Sequence, residues 1–263
     1  MLKLLYMTST ARPNLSLINH LQSSRMVEVC GIVEEITGRA DRVNQLFKKK
    51  SLVKKIDLVA FRFLHRFILD TSAYEASNSS ISDIPRLSTS NINDQKVIAF
   101  IRQQAPDLIL LKGVSIITKD LIEAADVNMV NIHSGWLPDY RGVQCGTWPL
   151  VNGEFDKIGI TFHHVDEGID TGSIILREKM DREILITAGL LTFHQKIGFQ
   201  QYKLIVENLD QFISVYQGSN AWESKPSTGP NKPYSYVGLT DFIKAMLNLN
   251  RYKKRNKQKN SSQ

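Results

Sequence analysis

The apolar positions of this chain fall into short runs separated by helical patterns. Residues 2–7, 27–33 and 108–111 have the length and composition of buried strands, and residues 15–21 repeat their apolar side chains at helical spacing. A β-α-β order implies parallel strands joined by right-handed crossovers. The pattern predicts an α/β fold with a mostly parallel twisted sheet flanked by helices.

The second half of the chain shows strand patterns first and helical patterns afterwards. Residues 127–132 form another predicted buried strand, and residues 159–165 alternate between apolar and polar positions, with residues 174–178 as the expected partner strand. Thr187 is predicted to cap a long helix that reaches Tyr216. The predicted strands therefore precede a helical C-terminal part.

Length and composition divide the chain into three predicted segments. Residues 1–217 can bury one substantial core and form the main domain. Residues 218–250 form a short C-terminal extension, which is loop-like as far as Tyr236 and helical over residues 237–249. The basic residues 251–263 are expected to form a disordered, solvated tail.

The charge distribution bears on the class of partner. The chain carries a net charge of +7, and the tail contributes positive charges at Arg251, Lys253, Lys254, Arg255, Lys257 and Lys259. Because the rest of the chain is nearly neutral, we expect a small-molecule substrate and no nucleic-acid partner. An electrostatic tether is the alternative role of the tail.

The expected compartment follows from cysteine content and hydropathy. Two cysteines, Cys30 and Cys145, are too few for a disulfide framework and suit a reducing compartment. No run reaches the roughly 20 apolar residues that span a bilayer, and the apolar start is too short for a secretory signal. A cytoplasmic protein without a transmembrane segment is expected.

Residues 42–70 place a group of lysines before a strongly apolar helical pattern. A basic face beside apolar side chains could lie on an anionic membrane. A surface helix with one buried stripe is the favoured interpretation, because the crossover helices of α/β domains need such a stripe.

Candidate chemistry lies at the end of the predicted strand 127–132. Asn131 and His133 alternate there, so both side chains leave the same face of a regular strand, and a turn-rich segment follows. Asp170 lies in a second loop, after residues 159–165. An amide can stabilise an oxyanion, an imidazole can exchange protons, and a carboxylate can set the charge of that imidazole. The trio predicts acyl transfer, with the attacking group on the substrate because the chain has no nucleophile elbow.

A metal site is the alternative use of these residues. His133, His163, His164 and the acidic residues within 166–170 belong to the same two motifs. Adjacent strand residues such as His163 and His164 point to opposite faces, so they do not form a two-histidine clamp. We therefore expect no catalytic metal.

Three sequence motifs are similar to those of one enzyme family. They are Asn131-Ile-His133, the segment Leu137-Pro-Asp-Tyr-Arg-Gly142, and the run from Gly159 to Gly172. In this order they resemble the hallmark of folate-dependent formyltransferases, which include glycinamide ribonucleotide, methionyl-tRNA and sugar N-formyltransferases. The resemblance implies a Rossmann-like formyltransferase fold, with residues 1–217 as the catalytic domain.

The resemblance also implies roles for the trio. The family transfers the formyl group of 10-formyltetrahydrofolate to a primary amine. By position, Asn131 and a protonated His133 would stabilise the developing oxyanion. Asp170 would hold His133 in its charged form and would help to relay the proton that the amine loses.

Contacts to the two substrates are expected from less distinctive segments. The resemblance places the folate pocket at one strand end and in the loop before Asp170, at Leu111, Lys112, Gly113, Val114, Asp166 and Gly168. The amine substrate is expected to contact the loop after the first strand and the turn-rich segment after His133, at Thr10, Arg12, Trp136, Tyr140 and Arg141. The aromatic members could stack on a base or a sugar.

Departures from the family pattern reduce the number of candidate acceptor classes. The residues after Gly218 are too few for the C-terminal domain of methionyl-tRNA enzymes, and the first loop lacks the glycine-rich phosphate turn of purine-pathway enzymes. The expected acceptor is the amino group of a nucleotide-linked amino sugar, with a homodimer as one expected assembly. The alternatives are another small amine (an amino acid, a ribonucleotide amine or tRNA-linked methionine), hydrolysis of the donor, and a folate-binding or interaction protein without activity.

Overall fold

The computed structural model describes residues 1–9, 15–36, 50–68, 83–218 and 232–260. The strands within these ranges are β1 (Leu2–Ser9), β2 (Val27–Glu35), β3 (Arg86–Thr89), β4 (Leu108–Lys112), β5 (Asn128–His133), β6 (Gly159–His164) and β7 (Ile174–Lys179). The helices are α1 (Leu15–Ser23), α2 (Leu52–Ile68), α3 (Gln95–Gln104), α4 (Lys119–Ala125), α5 (Trp148–Asn152), α6 (Glu183–Thr187), α7 (Phe193–Gly218) and α8 (Leu239–Asn260). A short 3-10 helix spans Phe155–Lys157.

The described strands form one seven-stranded sheet in the order β3-β2-β1-β4-β5-β6-β7. The pairs from β3 across to β5 are parallel, whereas β6 and β7 are antiparallel to their neighbours. The strand order reverses its direction beside β1, and such a reversal opens a crevice at the carboxyl ends of the strands. The predicted α/β fold with a mostly parallel sheet is confirmed.

Alternation along the central strand β1 builds a core on both faces of the sheet. Leu4 and Tyr6 belong to the apolar cluster that α1 and α7 cover, whereas Leu5 and Met7 belong to the cluster that α3 and α4 cover. Neither face of the central sheet is left to solvent. This double coverage explains why strand β4 is apolar along almost its whole length.

Helix α8 packs the C-terminal extension against the main domain. Phe242, Ala245 and Leu249 are buried in a third apolar cluster, which also contains Leu150 of α5 and Phe61 of α2. The extension therefore shares a core with the main domain.

The predicted disorder of the basic tail is wrong for residues 251–260, which continue α8. The Tyr252 ring stacks on Phe155 with ring centroids 4.4 Å apart, and the Lys253 ammonium donates to the Ala188 carbonyl oxygen. These contacts tie the last turns of the helix to the domain, which charge density alone did not predict. Residues 261–263 lie outside the described residues.

The prediction that Thr187 caps the long helix is also wrong. Helix α6 ends at Thr187, Ala188 is extended with ψ of 137°, and α7 begins only at Phe193. Gly189 follows directly and breaks the helical pattern. Helix α7 then runs to Gly218, and residues 219–231 lie outside the described residues.

Helix α2 has the buried stripe that was predicted, and it also carries an exposed apolar face. Leu58 and Phe61 are buried. The exposed apolar side chains recur at helical spacing, at Leu52, Val53, Ile56, Val59 and Phe63. The predicted helical residues before Lys50 and after Ile68 lie outside the described residues.

Candidate active site

The residues at the carboxyl end of β5 face a pair of residues on β6. Asn131 and His133 alternate on β5, and the antiparallel register places Asn131 opposite His163 and His133 opposite Thr161. Side chains of directly paired residues leave the same face of a sheet. Two polar pairs therefore stand side by side where the strand ends.

Asp170 reaches the same face from the loop that follows β6. Its carboxylate oxygens lie 3.6 Å from His133 Nδ1 and 3.5 Å from His163 Nε2. The Asn131 amide Nδ2 donates to Asp170 Oδ1 at 3.3 Å. The backbone N–H of Gly142 donates to Asp170 Oδ2 at 2.7 Å. The structure thus joins Asn131, His133 and Asp170, as the sequence predicted.

The backbone around Asp170 explains how the carboxylate enters the cluster. Asp170 has a φ of +52°, a left-handed conformation that aspartate adopts more readily than most residues. Two residues on, a Cβ at Gly172 would lie 1.9 Å from the His164 carbonyl oxygen. Glycine is therefore required where the loop passes the end of β6.

The two ring nitrogens of His133 have different surroundings. Nε2 lies 2.8 Å from the Tyr140 carbonyl oxygen, and a carbonyl oxygen only accepts, so Nε2 carries the proton. Nδ1 faces Asp170 at 3.6 Å, which is longer than a hydrogen bond. This geometry fits the neutral tautomer, with a bare Nδ1 beside the carboxylate.

Burial and charge set opposite protonation states for this pair. Burial lowers the pKa of His133, because the cost of desolvating the imidazolium outweighs the attraction of Asp170. Burial alone would raise the pKa of Asp170, but His133, His163 and the Gly142 N–H outweigh it and lower that pKa well below its usual range. The lowered pKa of His133 favours a neutral ring at neutral pH, beside a charged Asp170. This differs from the charged His133 that the family resemblance implied.

His163 completes the cluster, and the sequence prediction had assigned it no catalytic role. Its Nδ1 donates to the His164 carbonyl oxygen at 2.8 Å, which leaves Nε2 to accept from Asn131 Nδ2 at 3.2 Å. The Asn131 amide is therefore held by His163 on one side and by Asp170 on the other. The alternation of Thr161 and His163 on a strand that pairs with β5 was the available signal.

The catalytic loop (residues 134–147) is built closely around His133. A Cβ at Gly135 would lie 2.4 Å from His133 Nε2 and 2.7 Å from the Tyr140 carbonyl oxygen. The Thr161 hydroxyl donates to the Gly135 carbonyl oxygen at 2.8 Å. Gly135 therefore allows the loop to fold back onto the imidazole.

The predicted folate-contact residues on the β4 side occupy different environments. The Leu111 side chain is buried in the core, and Val114 packs against the same cluster. Gly113 is exposed, and a Cβ there would meet no atom within 4 Å. The Lys112 ammonium donates to Ser134 Oγ at 3.4 Å. The open space at Gly113, beside the catalytic loop, would admit a flat ligand that forms hydrogen bonds with the backbone.

A carboxylate from β2, two strands away in the sheet, fixes the loop that follows β4. Glu35, at the end of β2, accepts from the Ser115 N–H at 2.7 Å and is buried. The sequence prediction missed this contact, which joins residues 80 positions apart.

The acidic loop (residues 166–171) holds itself together and is mostly exposed. Asp166 Oδ1 accepts from the Gly168 N–H at 3.1 Å and from the Thr171 hydroxyl at 2.6 Å. Glu167 pairs with Lys119 of α4 at 2.8 Å. Asp166 shapes the loop through its side chain, while the peptide groups of the loop remain at the surface.

Two of the predicted acceptor-contact residues have partners within the protein. Tyr140 is buried, and its hydroxyl donates to Glu154 at 2.5 Å. Its predicted stacking on a substrate is therefore corrected to a supporting role. Trp136 is partly exposed, with the Arg177 guanidinium 4.4 Å and the Lys179 ammonium 4.9 Å from its ring centroid.

The other predicted acceptor contacts are described only in part. Arg141 is partly exposed within the catalytic loop, beside Gly142. Thr10 and Arg12 lie outside the described residues, so their predicted contacts remain predictions.

Among the described residues, no group of three or more histidine, cysteine, aspartate or glutamate side chains is arranged to hold a metal ion. The described helices include none that is long and apolar enough to cross a membrane.

Comparison with protein families places most of this chain in one family. The family model described as formyl transferase matches residues 36–209. The matched segment contains Asn131, His133, His163 and Asp170, and so covers the whole cluster.

Curated relatives fall into two groups by name. A methionyl-tRNA formyltransferase of Clostridioides difficile (strain 630) is 31% identical over 172 residues, which is 64% of this chain and 55% of the relative. A GDP-perosamine N-formyltransferase of Brucella melitensis is 31% identical over 170 residues, which is 62% of this chain and 65% of the relative. The chain thus spans between half and two thirds of the length of these relatives.

Solved structures share the fold at low sequence identity. A phosphoribosylglycinamide formyltransferase from Anaplasma phagocytophilum has a TM-score of 0.57 at 14% identity, over 89% of this chain and 97% of that one. A sugar N-formyltransferase from a Shewanella species has a TM-score of 0.52 at 16% identity, over 94% of this chain and 87% of that one.

Proposed function

This chain belongs to the formyl transferase family, and we propose that it transfers the formyl group of 10-formyltetrahydrofolate to the amino group of a nucleotide-linked amino sugar. The observation that carries the proposal is the buried cluster of Asn131, His133, His163 and Asp170 at the end of β5. The cluster holds an amide, a neutral imidazole and a carboxylate within contact distance of one another.

The proposed reaction forms a C–N bond between the amine and the formyl carbon, breaks the bond from that carbon to the folate nitrogen, and passes one proton from the amine, by way of His133, to that folate nitrogen. Negative charge develops on the formyl oxygen during the attack. The Asn131 amide then donates an N–H to that oxygen and gives up its long 3.3 Å hydrogen bond to Asp170. The bare Nδ1 of His133 accepts the amine proton. Asp170, 3.6 Å away, offsets the positive charge that this creates.

The formyl donor fits the side of the site between β4 and the acidic loop. Gly113 leaves open space there, and the exposed peptide groups of residues 166–171 can bind the edge of a flat ring through backbone hydrogen bonds. Leu111 contributes through its backbone, since its side chain is buried. Asp166 and Gly168 act by shaping the loop.

Two observations support the choice of a nucleotide-linked amino sugar. The Brucella relative is named for such an acceptor and is as similar to this chain as the methionyl-tRNA relative. Arg177 and Lys179 beside Trp136 would offset the charge of a diphosphate near the catalytic loop. The proposal also includes the sequence expectation that the protein works on a small molecule in the cytoplasm.

Mass spectrometry of a library of nucleotide-linked amino sugars, incubated with 10-formyltetrahydrofolate and the protein, tests the proposal. We expect one member to gain a single formyl group, and Asn131→Ala to slow this reaction about a hundredfold or more. Formate released without any amine would indicate a hydrolase instead. If the donor is not consumed with any amine, the protein binds folate or a partner without catalysis.

Methionyl-tRNA is the second candidate acceptor, because one group of relatives is named for it and α8 presents a fixed basic surface. Exposed cations there include Arg251, Lys254, Arg255 and Lys257. Binding to tRNA would weaken steeply with salt, because cations on the protein displace counterions from phosphates. A Lys254→Glu, Arg255→Glu double variant would slow formylation of methionyl-tRNA but leave formylation of an amino sugar unchanged.

A further inference from the structure

A short piece of the C-terminal extension lies directly on the catalytic loop. This docking segment (residues 233–237) contacts the loop and the first residue of α5 through backbone and side chains. The Trp148 Nε1 donates to the Ser235 carbonyl oxygen at 2.9 Å, and the Val237 N–H donates to Gln144 Oε1 at 2.6 Å. Its central residue, Tyr234, forms an isolated parallel bridge with Gly142.

The backbone of Tyr234 contacts the side of the Arg141–Gly142 peptide group that faces away from Asp170. Its N–H donates to the Arg141 carbonyl oxygen at 2.7 Å, and its carbonyl oxygen accepts from the Val143 N–H at 3.1 Å. The same peptide group directs its other end, the Gly142 N–H, to Asp170 Oδ2 at 2.7 Å.

These two hydrogen bonds are linked because both involve the same planar peptide group. The C=O and N–H of a trans peptide point in opposite directions and move as one rigid unit. A donor on the C=O also polarises the N–H, so that hydrogen bonds in a chain strengthen one another. The Tyr234 N–H therefore fixes both the direction and the strength of the Gly142 donor that Asp170 accepts.

The approach of the two chain segments is close enough to require glycine. Gly142 has a φ of +102°, and a Cβ there would lie 2.3 Å from the Tyr234 carbonyl oxygen. The Tyr234 side chain adds anchoring contacts: its ring stacks on Tyr140 at 5.2 Å and packs against Trp148 at 4.9 Å, and Asn152 Nδ2 donates to its hydroxyl at 3.0 Å.

We propose that Tyr234 is a positioning residue for catalysis, which holds the Arg141–Gly142 peptide so that its N–H keeps the Asp170 carboxylate beside His133. The kinetic part of this inference rests on the proposed formyl transfer. The C-terminal extension is then a working part of the active site, and it acts without touching the reacting atoms.

An amide NMR measurement tests the proposal independently of activity. In the unmodified protein, the Gly142 and Tyr234 amides should both be protected from hydrogen exchange. A Gly142 amide held by a carboxylate should also resonate downfield, and Tyr234→Ala should move it upfield while the amide of Gly31, in the distant strand β2, stays unchanged. A Tyr234 amide that exchanges freely beside a protected Gly142 amide would overturn the proposal, whether or not the protein transfers formyl groups.

Kinetics with the identified acceptor supply the second test. Tyr234→Ala should lower kcat about tenfold to a hundredfold with little change in KM for the formyl donor, because small displacements of a catalytic group are costly. Tyr234→Phe keeps the ring and backbone and should restore most of kcat. Tyr252→Ala, which removes a stacked ring from α8 outside the docking segment, is the matched control and should leave the kcat of the folded protein unchanged.

Circular dichroism separates misfolding from mispositioning in these variants. If Tyr234→Ala fails to fold, Tyr234→Leu replaces it in the experiment, because leucine keeps an apolar side chain packed against Tyr140 and Trp148. Equal kcat for the folded Ala or Leu variant and the unmodified protein would refute the proposal, as would equal losses in Tyr234→Phe and Tyr234→Ala. If the unmodified protein transfers no formyl group, only the proposed function fails, and the amide measurement still decides the role of Tyr234.

Discussion

The two loops that meet at the candidate site are built in opposite ways. The catalytic loop folds back on the protein: its Gly135 and Tyr140 lie against His133, and the docking segment packs on its outer side. The acidic loop is mostly exposed and is held by its own Asp166 and by the surface pair of Lys119 and Glu167. Of its residues, Asp170 is the one that enters the cluster with His133.

The difference indicates that the two loops have separate roles in the proposed site. A loop that fixes the imidazole needs tight packing, because acid–base groups act over hydrogen-bond distances. A loop that contacts a ligand through its backbone needs exposed peptide groups and tolerates weaker packing. Substitutions in the catalytic loop should therefore cost structure and activity together, whereas substitutions in the acidic loop before Asp170 should cost little.

Asp170→Asn is expected to have the largest effect. Asparagine tolerates the left-handed backbone of Asp170, so the loop should keep its shape, but the charge that stabilises protonated His133 is lost. We expect kcat to fall about a hundredfold or more. Asp139→Asn is the matched control, since its carboxylate pairs with Lys157 at the surface, and its kcat should stay near that of the unmodified protein. Full activity in Asp170→Asn would contradict the proposed role.

Gly135→Ala tests the packing of the catalytic loop. The added Cβ would overlap His133 and the Tyr140 carbonyl oxygen, which should destabilise the fold by about 1–3 kcal/mol. Chemical denaturation measures this loss, and the folded fraction should also have a lower kcat. The control is Gly153→Ala, whose added Cβ would meet no atom closer than 4.0 Å; it adds backbone strain, because Gly153 has a φ of +76°, but no overlap. Equal kcat in the two folded variants would show that the loop tolerates displacement.

Acid should destabilise the unmodified protein through His133. Its pKa is lowered in the folded state, so between the ordinary value of about 6.5 and the lowered value the unfolded chain binds more protons. Stability should therefore fall as the pH falls from 7 through the ordinary histidine value of about 6.5 and below it. Melting curves of His133→Gln should show a shallower pH dependence in that window. An equal or steeper dependence would mean that other groups dominate.

Asp166→Ala should have the smallest effect. It removes two hydrogen bonds in an exposed loop, and we expect a loss of stability near or below about 1 kcal/mol. The KM for the formyl donor should rise more than kcat falls. A loss of kcat as large as that of Asp170→Asn would remove the distinction between the two loops.

The sequence predicted the sheet and the catalytic trio because both leave local signals. Apolar runs marked the buried strands, and the alternation of Asn131 and His133 placed both side chains on one face. Asp170 was predicted because it lies in the motif that ends at Gly172. Glycine is required at position 172 because a Cβ there would overlap the His164 carbonyl oxygen. The helical tail was not predicted, because Tyr252 and Lys253 find their partners far away in sequence.

The remaining site contacts depend on pairings that sequence spacing does not reveal. His163 enters the cluster through the register of β6 on β5, and Glu35 and Tyr234 contribute through contacts across the fold. The lowered pKa of His133 was not predicted either, because it depends on how deeply the ring is buried. Long-range packing therefore decided the electrostatics of the site.

Nitrogen-15 NMR of the His133 imidazole in the unmodified protein tests the central claim most directly, because it needs no acceptor. At pH 7 we predict a neutral ring with the proton on Nε2 and a bare Nδ1, ready to accept a proton beside Asp170. The ring should become charged only at a pH below the ordinary histidine value. A doubly protonated ring at pH 7, or a neutral ring with its proton on Nδ1, would contradict the account.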